Sequence, residues 1–135
     1  MAIETFSWPI RVYYEETDAG GIVYHANYLK FFERARTEWL RALGYELDVL
    51  AADGLMFVVT RSELDYLKAA KLNESLEVRS TLHASRRVSF TFEQQLFRGE
   101  ECLVRGLIKV ASVHPETLKP IRLPKNLIEE MGFVS

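Results

Sequence analysis

Residues 14–44, YEETDAGGIVYHANYLKFFERARTEWLRALG, decide how this chain reads, because they join a reactive-looking turn to its longest helical pattern. An acidic cluster (Glu15, Glu16, Asp18) runs into Gly20-Gly21, then a short apolar link, then His25-Ala26-Asn27. Asn27 has the chemistry of an N-cap, since its side-chain oxygen can accept from a free backbone N–H of the first turn. From Tyr28 to Leu43 a 3.6-residue period gathers Tyr28, Leu29, Phe31, Phe32, Ala35, Trp39, Leu40, Ala42 and Leu43 over about half the circumference. Lys30, Glu33, Arg34, Thr37, Glu38 and Arg41 fall on the other half. So wide an apolar arc predicts a helix wrapped on several sides rather than laid on a surface. At about 1.5 Å per residue it is roughly 25 Å long, about the width of a small domain, and Gly44 suits the C′ position. Arg36 breaks the pattern by falling inside the arc, which predicts a stem packed there and a head reaching a carboxylate or a subunit boundary.

The flanking sequence alternates. Before the helix, Trp8, Ile10, Val12 and Tyr14 share one parity, the pattern of a strand with one buried face, and Pro9 suits its beginning or an edge. After it, residues 45–54 read as a helical turn ending at Asp53-Gly54, and 56–66 as a strand with Met56, Val58, Thr60, Leu64 and Tyr66 on one parity. Alternation resumes at Ser75, turns at Ser85-Arg86, resumes through Val88, Phe90, Phe92 and Leu96, turns at Arg98-Gly99-Glu100 and continues through Cys102, Val104, Ile108 and Val110. Connections this short predict an antiparallel meander. Pro124 and Gly132 bracket a short terminal helix. The expected class is α+β, an antiparallel sheet of about five to six strands wrapped around one long central helix. Phe57, Val59, Phe97, Leu103, Leu107 and Val113 on the opposite parity ask for further cover, which a dimer sharing sheet surface or edges would give.

A chain of 135 residues that is 48% hydrophobic can bury one sizeable core, and no linker or composition shift marks a second, so residues 1–135 are expected to be a single domain. No apolar run approaches a membrane span, and MAIETFSWP lacks the basic and apolar regions of a leader. The lone Cys102 cannot form an internal disulfide, which with the missing leader makes the cytoplasm the expected compartment. A net charge of −2 with interspersed signs argues against a nucleic-acid partner. His25, His83 and His114 are scattered, with no Cys pair or HExxH spacing, and there is no P-loop, GxGxxG or GxSxG, so neither a metal nor a cofactor is expected.

What remains is chemistry at the helix start. Asp18, just before the positive end of a helix, is expected to stay ionised, and the N–H groups around Tyr24, His25 and Ala26 could hold a carbonyl oxygen as it gains charge. Gly20 and Gly21 allow a ligand close to the backbone. A carboxylate with oxyanion donors suffices for acyl transfer to water, and a thioester suits it because a thiol of pKa about 8.5 leaves with little protonation. Taken alone these residues also fit blander roles: an Asp in such a turn commonly caps its own loop, a His at a helix start is commonly structural, and Tyr14 reads as core.

The run Tyr14, Glu16-Thr17-Asp18-Ala19-Gly20-Gly21-Ile22-Val23-Tyr24-His25-Ala26-Asn27-Tyr28, continued by Phe32-Glu33-Arg34-Ala35-Arg36-Thr37-Glu38, resembles the signature of the 4-hydroxybenzoyl-CoA thioesterase-like hotdog family. Within it the run is most similar to the YbgC-type acyl-CoA thioesterases associated with the Tol-Pal system. The resemblance implies a hotdog fold, a homodimer or homotetramer with sites near subunit boundaries, and hydrolysis of an acyl-CoA to free acid and coenzyme A. It implies Asp18 as nucleophile or general base, the backbone N–H at His25 as the group that polarises the thioester, and functional side chains at Tyr14 and His25. Glu16 stands where many members have Asp, which leaves Asp18 unaffected. Gly21 and Tyr24 join the expected substrate contacts. Arg86 and Arg87, or Lys68 and Lys71, are candidates for the phosphates of coenzyme A, with solvated surface charge as the other reading. An acyl carrier protein is a possible partner. Two further readings keep the fold, a non-catalytic acyl-CoA or acyl-carrier-protein binding module and a hydratase or dehydratase using His25 with Asp18.

Overall fold

The computed structural model describes residues 4–132; residues 1–3, which open the stretch read above for a leader, and 133–135 lie outside the described residues. In chain order the elements are β1 (Phe6–Arg11), a 3-10 turn (Tyr14–Glu16), α1 (Asn27–Ala42), α2 (Leu47–Ala52), β2 (Met56–Tyr66), β3 (Ser75–Ser85), β4 (Ser89–Arg98), β5 (Glu101–Val113) and α3 (Lys125–Glu130). The five strands form one antiparallel sheet of order β1-β3-β4-β5-β2. The expected meander is its centre, with β1 and β2 as its edges. This α+β arrangement, a sheet curled around one long helix, is the architecture that the hotdog resemblance implies.

The apolar arc of α1 explains the wrapping. Tyr28, Phe31, Phe32, Ala35, Trp39 and Leu40 are buried against Leu76, Val78, Leu82, Phe90, Phe92, Leu96, Val104 and Ile108 of the sheet. Leu29 and Ala42 are exposed, so the buried arc is narrower than the apolar one. The helix stops as expected: Gly44 has φ of 95°, its N–H donates to Arg41 O at 2.9 Å, and Tyr45 N–H donates to Leu40 O at 2.9 Å. That is a Schellman stop. Its start differs from expectation. Asn27 lies inside the first turn, and its Nδ2 donates to Glu16 O at 2.9 Å, so the side chain ties down the preceding loop instead of capping the helix.

Other corrections come from local breaks in period. β2 shifts register between Val59 and Arg61. One extra residue flips the face, so Phe57 packs on Phe90 at 5.3 Å on the helix side before the bulge, and Leu64 packs against the core after it. The parity read for Met56 to Tyr66 therefore fails for its first half. Tyr14 is not on the buried face of a strand: β1 ends at Arg11 and Tyr14 lies in the 3-10 turn, 81% exposed. Arg36 is buried as expected, but its head reaches an amide rather than a carboxylate. Its Nη1 donates to Gln94 Oε1 at 2.9 Å, and Gln94 Nε2 donates to Phe32 O at 3.0 Å and Ser80 Oγ at 2.9 Å.

The loop before α1 is held by Glu16, which is only 4% exposed. Its Oε1 accepts from Tyr13 N–H at 2.8 Å, its Oε2 meets Arg34 Nη1 at 3.0 Å, and its carbonyl accepts from Tyr24 N–H at 3.0 Å as well as from Asn27. One residue thus joins the 3-10 turn, the loop and the second turn of α1. Removing a buried acceptor leaves its donors unpaired, so Glu16→Ala is expected to cost about 1–3 kcal/mol of stability. Chemical denaturation should show a lower midpoint, and hydrogen exchange should quicken at Tyr13 more than in β4; an unchanged midpoint would contradict the clamp.

Candidate active site

The segment between Glu16 and α1 is a small hairpin. Thr17 pairs with Val23, Asp18 N–H donates to Ile22 O at 2.9 Å, and Gly21 N–H donates to Asp18 O at 3.0 Å with Gly21 at φ of 78°. A side chain is strained at that angle, which accounts for the glycine. The hairpin docks on the connection between β2 and β3, where Ile22 pairs with Lys71 and Val23 N–H donates to Ala70 O at 2.9 Å. Ala70 is held in turn from α1, its N–H donating to the Tyr28 hydroxyl at 3.1 Å, and burial pushes the Tyr28 phenol above its ordinary pKa. The Asp18 turn is therefore fixed to the leading end of α1 through paired backbone.

Within this frame Asp18 is exposed, and its Oδ1 accepts from Gly20 N–H at 2.8 Å. It caps its own turn and still offers its second oxygen to solvent. Tyr24 N–H, expected to be free, is taken by Glu16 O; among the described residues no acceptor meets the N–H groups of His25 or Ala26. These two amides stand at the positive end of a 16-residue helix. The His25 ring leans on Tyr24 at 4.5 Å and meets the edge of Tyr66 at 6.3 Å, and Tyr66 meets Tyr28 at 5.7 Å. Half-exposed Tyr24 and Tyr66 give the helix start an aromatic rim. Tyr66 escaped the sequence reading because it is distant in the chain, and only the pairing of β2 brings it here.

Asp18, Gly21, Tyr24 and His25 are thus gathered at one end of α1. Tyr14 is nearby in sequence, but its ring stands in solvent while its carbonyl accepts from the Thr17 hydroxyl at 2.7 Å. Arg86 and Arg87 are not brought to the site in this chain. They lie exposed in the β3–β4 turn, beyond Ser85, whereas the hairpin docks before Ser75. At about 3.3 Å per residue β3 separates the two ends by about 35 Å. Lys68 is paired with Glu101, and Arg98 with Glu74 and Glu101, which leaves Lys71, beside Ile22, as the cation next to the hairpin without an ion pair among the described residues. An exposed carboxylate, two unpartnered amides at a helix start and an aromatic rim can accept a polarised carbonyl and deliver an oxygen nucleophile to it.

Comparison with known proteins gives the family of the chain. The profile of the Thioesterase-like superfamily matches residues 12–131. The acyl-CoA thioesterase YbgC of Haemophilus influenzae is 46% identical over 123 residues, covering 90% of each chain. The acyl-CoA thioester hydrolase YbgC of Escherichia coli O6:H1 is 41% identical over 131 residues, 96% of this chain and 98% of the relative. Among solved structures, a probable thioesterase from Bartonella henselae superposes with a TM-score of 0.84 at 36% identity, covering 90% of this chain and 100% of its own. The chain therefore belongs to the thioesterase-like superfamily, as a hotdog protein of the YbgC acyl-CoA thioesterase family.

Proposed function

We propose that the protein hydrolyses acyl-CoA thioesters to a free carboxylic acid and coenzyme A, with Asp18 as nucleophile or general base and the amides of His25 and Ala26 as the oxyanion donors. The observation that carries this reading is the pair of unpartnered N–H groups at the start of α1, beside the Asp18 turn. A thioester oxygen accepting from these amides gains charge where the helix field favours it. The free oxygen of Asp18 then attacks the carbonyl carbon, or takes a proton from a water that does so. The thiolate leaves and is protonated from solvent; where Asp18 itself has attacked, a water then hydrolyses the anhydride, releasing the acid and restoring the Asp18 carboxylate. Tyr24, Tyr66 and the His25 ring line the approach to the carbonyl.

A second copy of the chain accounts for the arginines. β2 is an eleven-residue edge whose Val58 and Val59 are exposed, an edge that invites pairing. Antiparallel pairing of β2 with its own copy sets the Tyr66 end of one protomer beside the Met56 end of the other. The Tyr66 end carries Asp18 and His25, and the Met56 end carries the β3–β4 turn with Arg86 and Arg87. The phosphates of coenzyme A would then meet the arginines of the other protomer. One observation favours a rival reading: Asp18 already spends an oxygen on Gly20 N–H, as a merely structural turn residue would, which suits a non-catalytic acyl-CoA or acyl-carrier-protein binding module.

Thiol release from a panel of acyl-CoAs separates the two. Asp18→Asn is expected to lower kcat by about a hundredfold or more with melting temperature unchanged; binding without thiol release by the wild type would favour the binding module, and activity retained in Asp18→Asn would remove Asp18 from the reaction. Arg86→Ala with Arg87→Ala is expected to raise KM and spare kcat. Mixing that double variant with Asp18→Asn should recover low-substrate activity that neither has alone, since one of the two sites in a mixed dimer is intact. No recovery in verified mixed dimers would place the arginines outside the site.

A further inference from the structure

The Asp18 hairpin docks on the middle of the β2–β3 connection, at Ala70 and Lys71. Backbone holds the two ends of that connection: Leu67 and Lys68 N–H donate to Leu103 O at 2.8 and 3.0 Å, and Asn73 N–H donates to Val12 O at 3.0 Å. Side chains hold the middle. Arg98, the last residue of β4, donates from Nη1 to both oxygens of Glu74 at 2.9 Å and to Ala69 O at 3.4 Å, and from Nη2 to Glu101 Oε1 at 2.7 Å. Glu74 Oε1 accepts in turn from Lys71 N–H at 2.6 Å. Hydrogen bonds from Lys68 and then from Arg98 hold the Glu101 carboxyl below its ordinary pKa, so this end of the cluster stays charged.

These contacts fall on the two peptides that carry the hairpin. A trans peptide points its N–H and its C=O to opposite sides. The Ala69-Ala70 peptide is therefore gripped from both, by Arg98 on its oxygen and by the Tyr28 hydroxyl on its N–H. In the Ala70-Lys71 peptide the oxygen takes Val23 N–H from the hairpin, while the N–H is held by the Glu74 carboxylate that Arg98 aligns. Lys71 then pairs with Ile22, whose carbonyl accepts from Asp18 N–H at 2.9 Å. We propose that Arg98, acting through Glu74 and the two peptides from Ala69 to Lys71, is a positioning residue for the hydrolysis and sets where Asp18 stands against the first amides of α1. The inference rests on the hydrolase reading, which gives Asp18 its part in the reaction. A half-exposed ion pair stabilises a fold little, but an error of about 1 Å in the place of a reacting group costs as much as a hundredfold in rate.

Thiol release and amide hydrogen exchange in the intact protein test it. Arg98→Ala is expected to lower kcat by about tenfold or more while KM changes by less than about threefold, and exchange at Val23 N–H should quicken relative to β4. Arg98→Lys, which keeps the charge but not the fork, should recover part of the loss. Glu74→Ala should match Arg98→Ala, and the two together should cost no more than either alone, because both act through one contact. Arg41→Ala, which removes ion pairs to Glu38 and Glu46 at the other end of α1, should leave kcat as it is. Unchanged kcat or unchanged Val23 exchange in Arg98→Ala, additive losses in the double variant, or an equal loss in Arg41→Ala would overturn the proposal while leaving the hydrolase reading in place. A wild type that releases no thiol overturns that reading and the proposal with it, so the wild type alone tells the two failures apart. Where Arg98→Ala does not fold, Glu74→Gln decides the matter by the same two readouts, since it keeps an acceptor for Lys71 N–H and gives up the charge that faces Arg98.

Discussion

The structure depends on burying one side of α1. Phe31, Phe32 and Trp39 are almost wholly removed from water, and each such side chain contributes on the order of 2–3 kcal/mol by burial. A helix sixteen residues long with so broad an apolar arc cannot satisfy it against a flat surface. The sheet must curl around it, and the side chains that line the curl are the alternate residues of β3, β4 and β5. A wrapped helix still has two ends. Its C-terminal end is closed by the Schellman stop at Gly44, whereas its N-terminal end cannot pair its first amides internally. Unpartnered backbone donors are thereby left at residues 25 and 26, and the functional reading grows from that point.

Two carboxylates two residues apart divide the work at this end. Glu16 is buried and spends both oxygens and its carbonyl on holding the 3-10 turn, the hairpin and α1 together. Asp18 is exposed and has one oxygen free. The first supplies rigidity and the second is available for chemistry. A nucleophile in a glycine-rich turn is useful only if the turn is fixed, and the fixing comes from Glu16 and from Ala70, clasped between Val23 and the Tyr28 hydroxyl.

Most of the architecture was legible because period carries it: α1 from Tyr28 onward, the meander, and the stops at Gly44 and Gly132 all follow from spacing and backbone freedom. The failures share a physical cause, in that each hangs on a specific side-chain or strand contact that periodicity does not encode, local at Tyr14 and distant elsewhere. Tyr14 continues the parity of β1 in sequence, but the hydrogen bond from Tyr13 to Glu16 winds the chain out of the sheet. The bulge after Val59 turns Phe57 inward. Arg36, Gln94 and Ser80 each look misplaced in their own pattern, yet they satisfy one another where the helix meets β3 and β4. The site was partly legible: the hairpin and helix start are contiguous in sequence, whereas Tyr66 and the destination of Arg86 and Arg87 depend on β2, whose outer edge the single chain leaves unpaired.

The most direct test of the account is whether a thioester-like carbonyl is held by the first amides of α1. An acyl-CoA analogue in which a methylene separates the carbonyl from sulfur keeps the acceptor and removes the leaving group. In a backbone-assigned NMR titration, the amide resonances of His25 and Ala26 should move downfield on binding, as expected of donors newly engaged by a carbonyl oxygen, with smaller changes at Gly20 and Gly21. Saturable binding that leaves both amides unmoved, with its shifts confined to other parts of the chain, would contradict the central claim that the start of this buried helix is where the carbonyl is polarised.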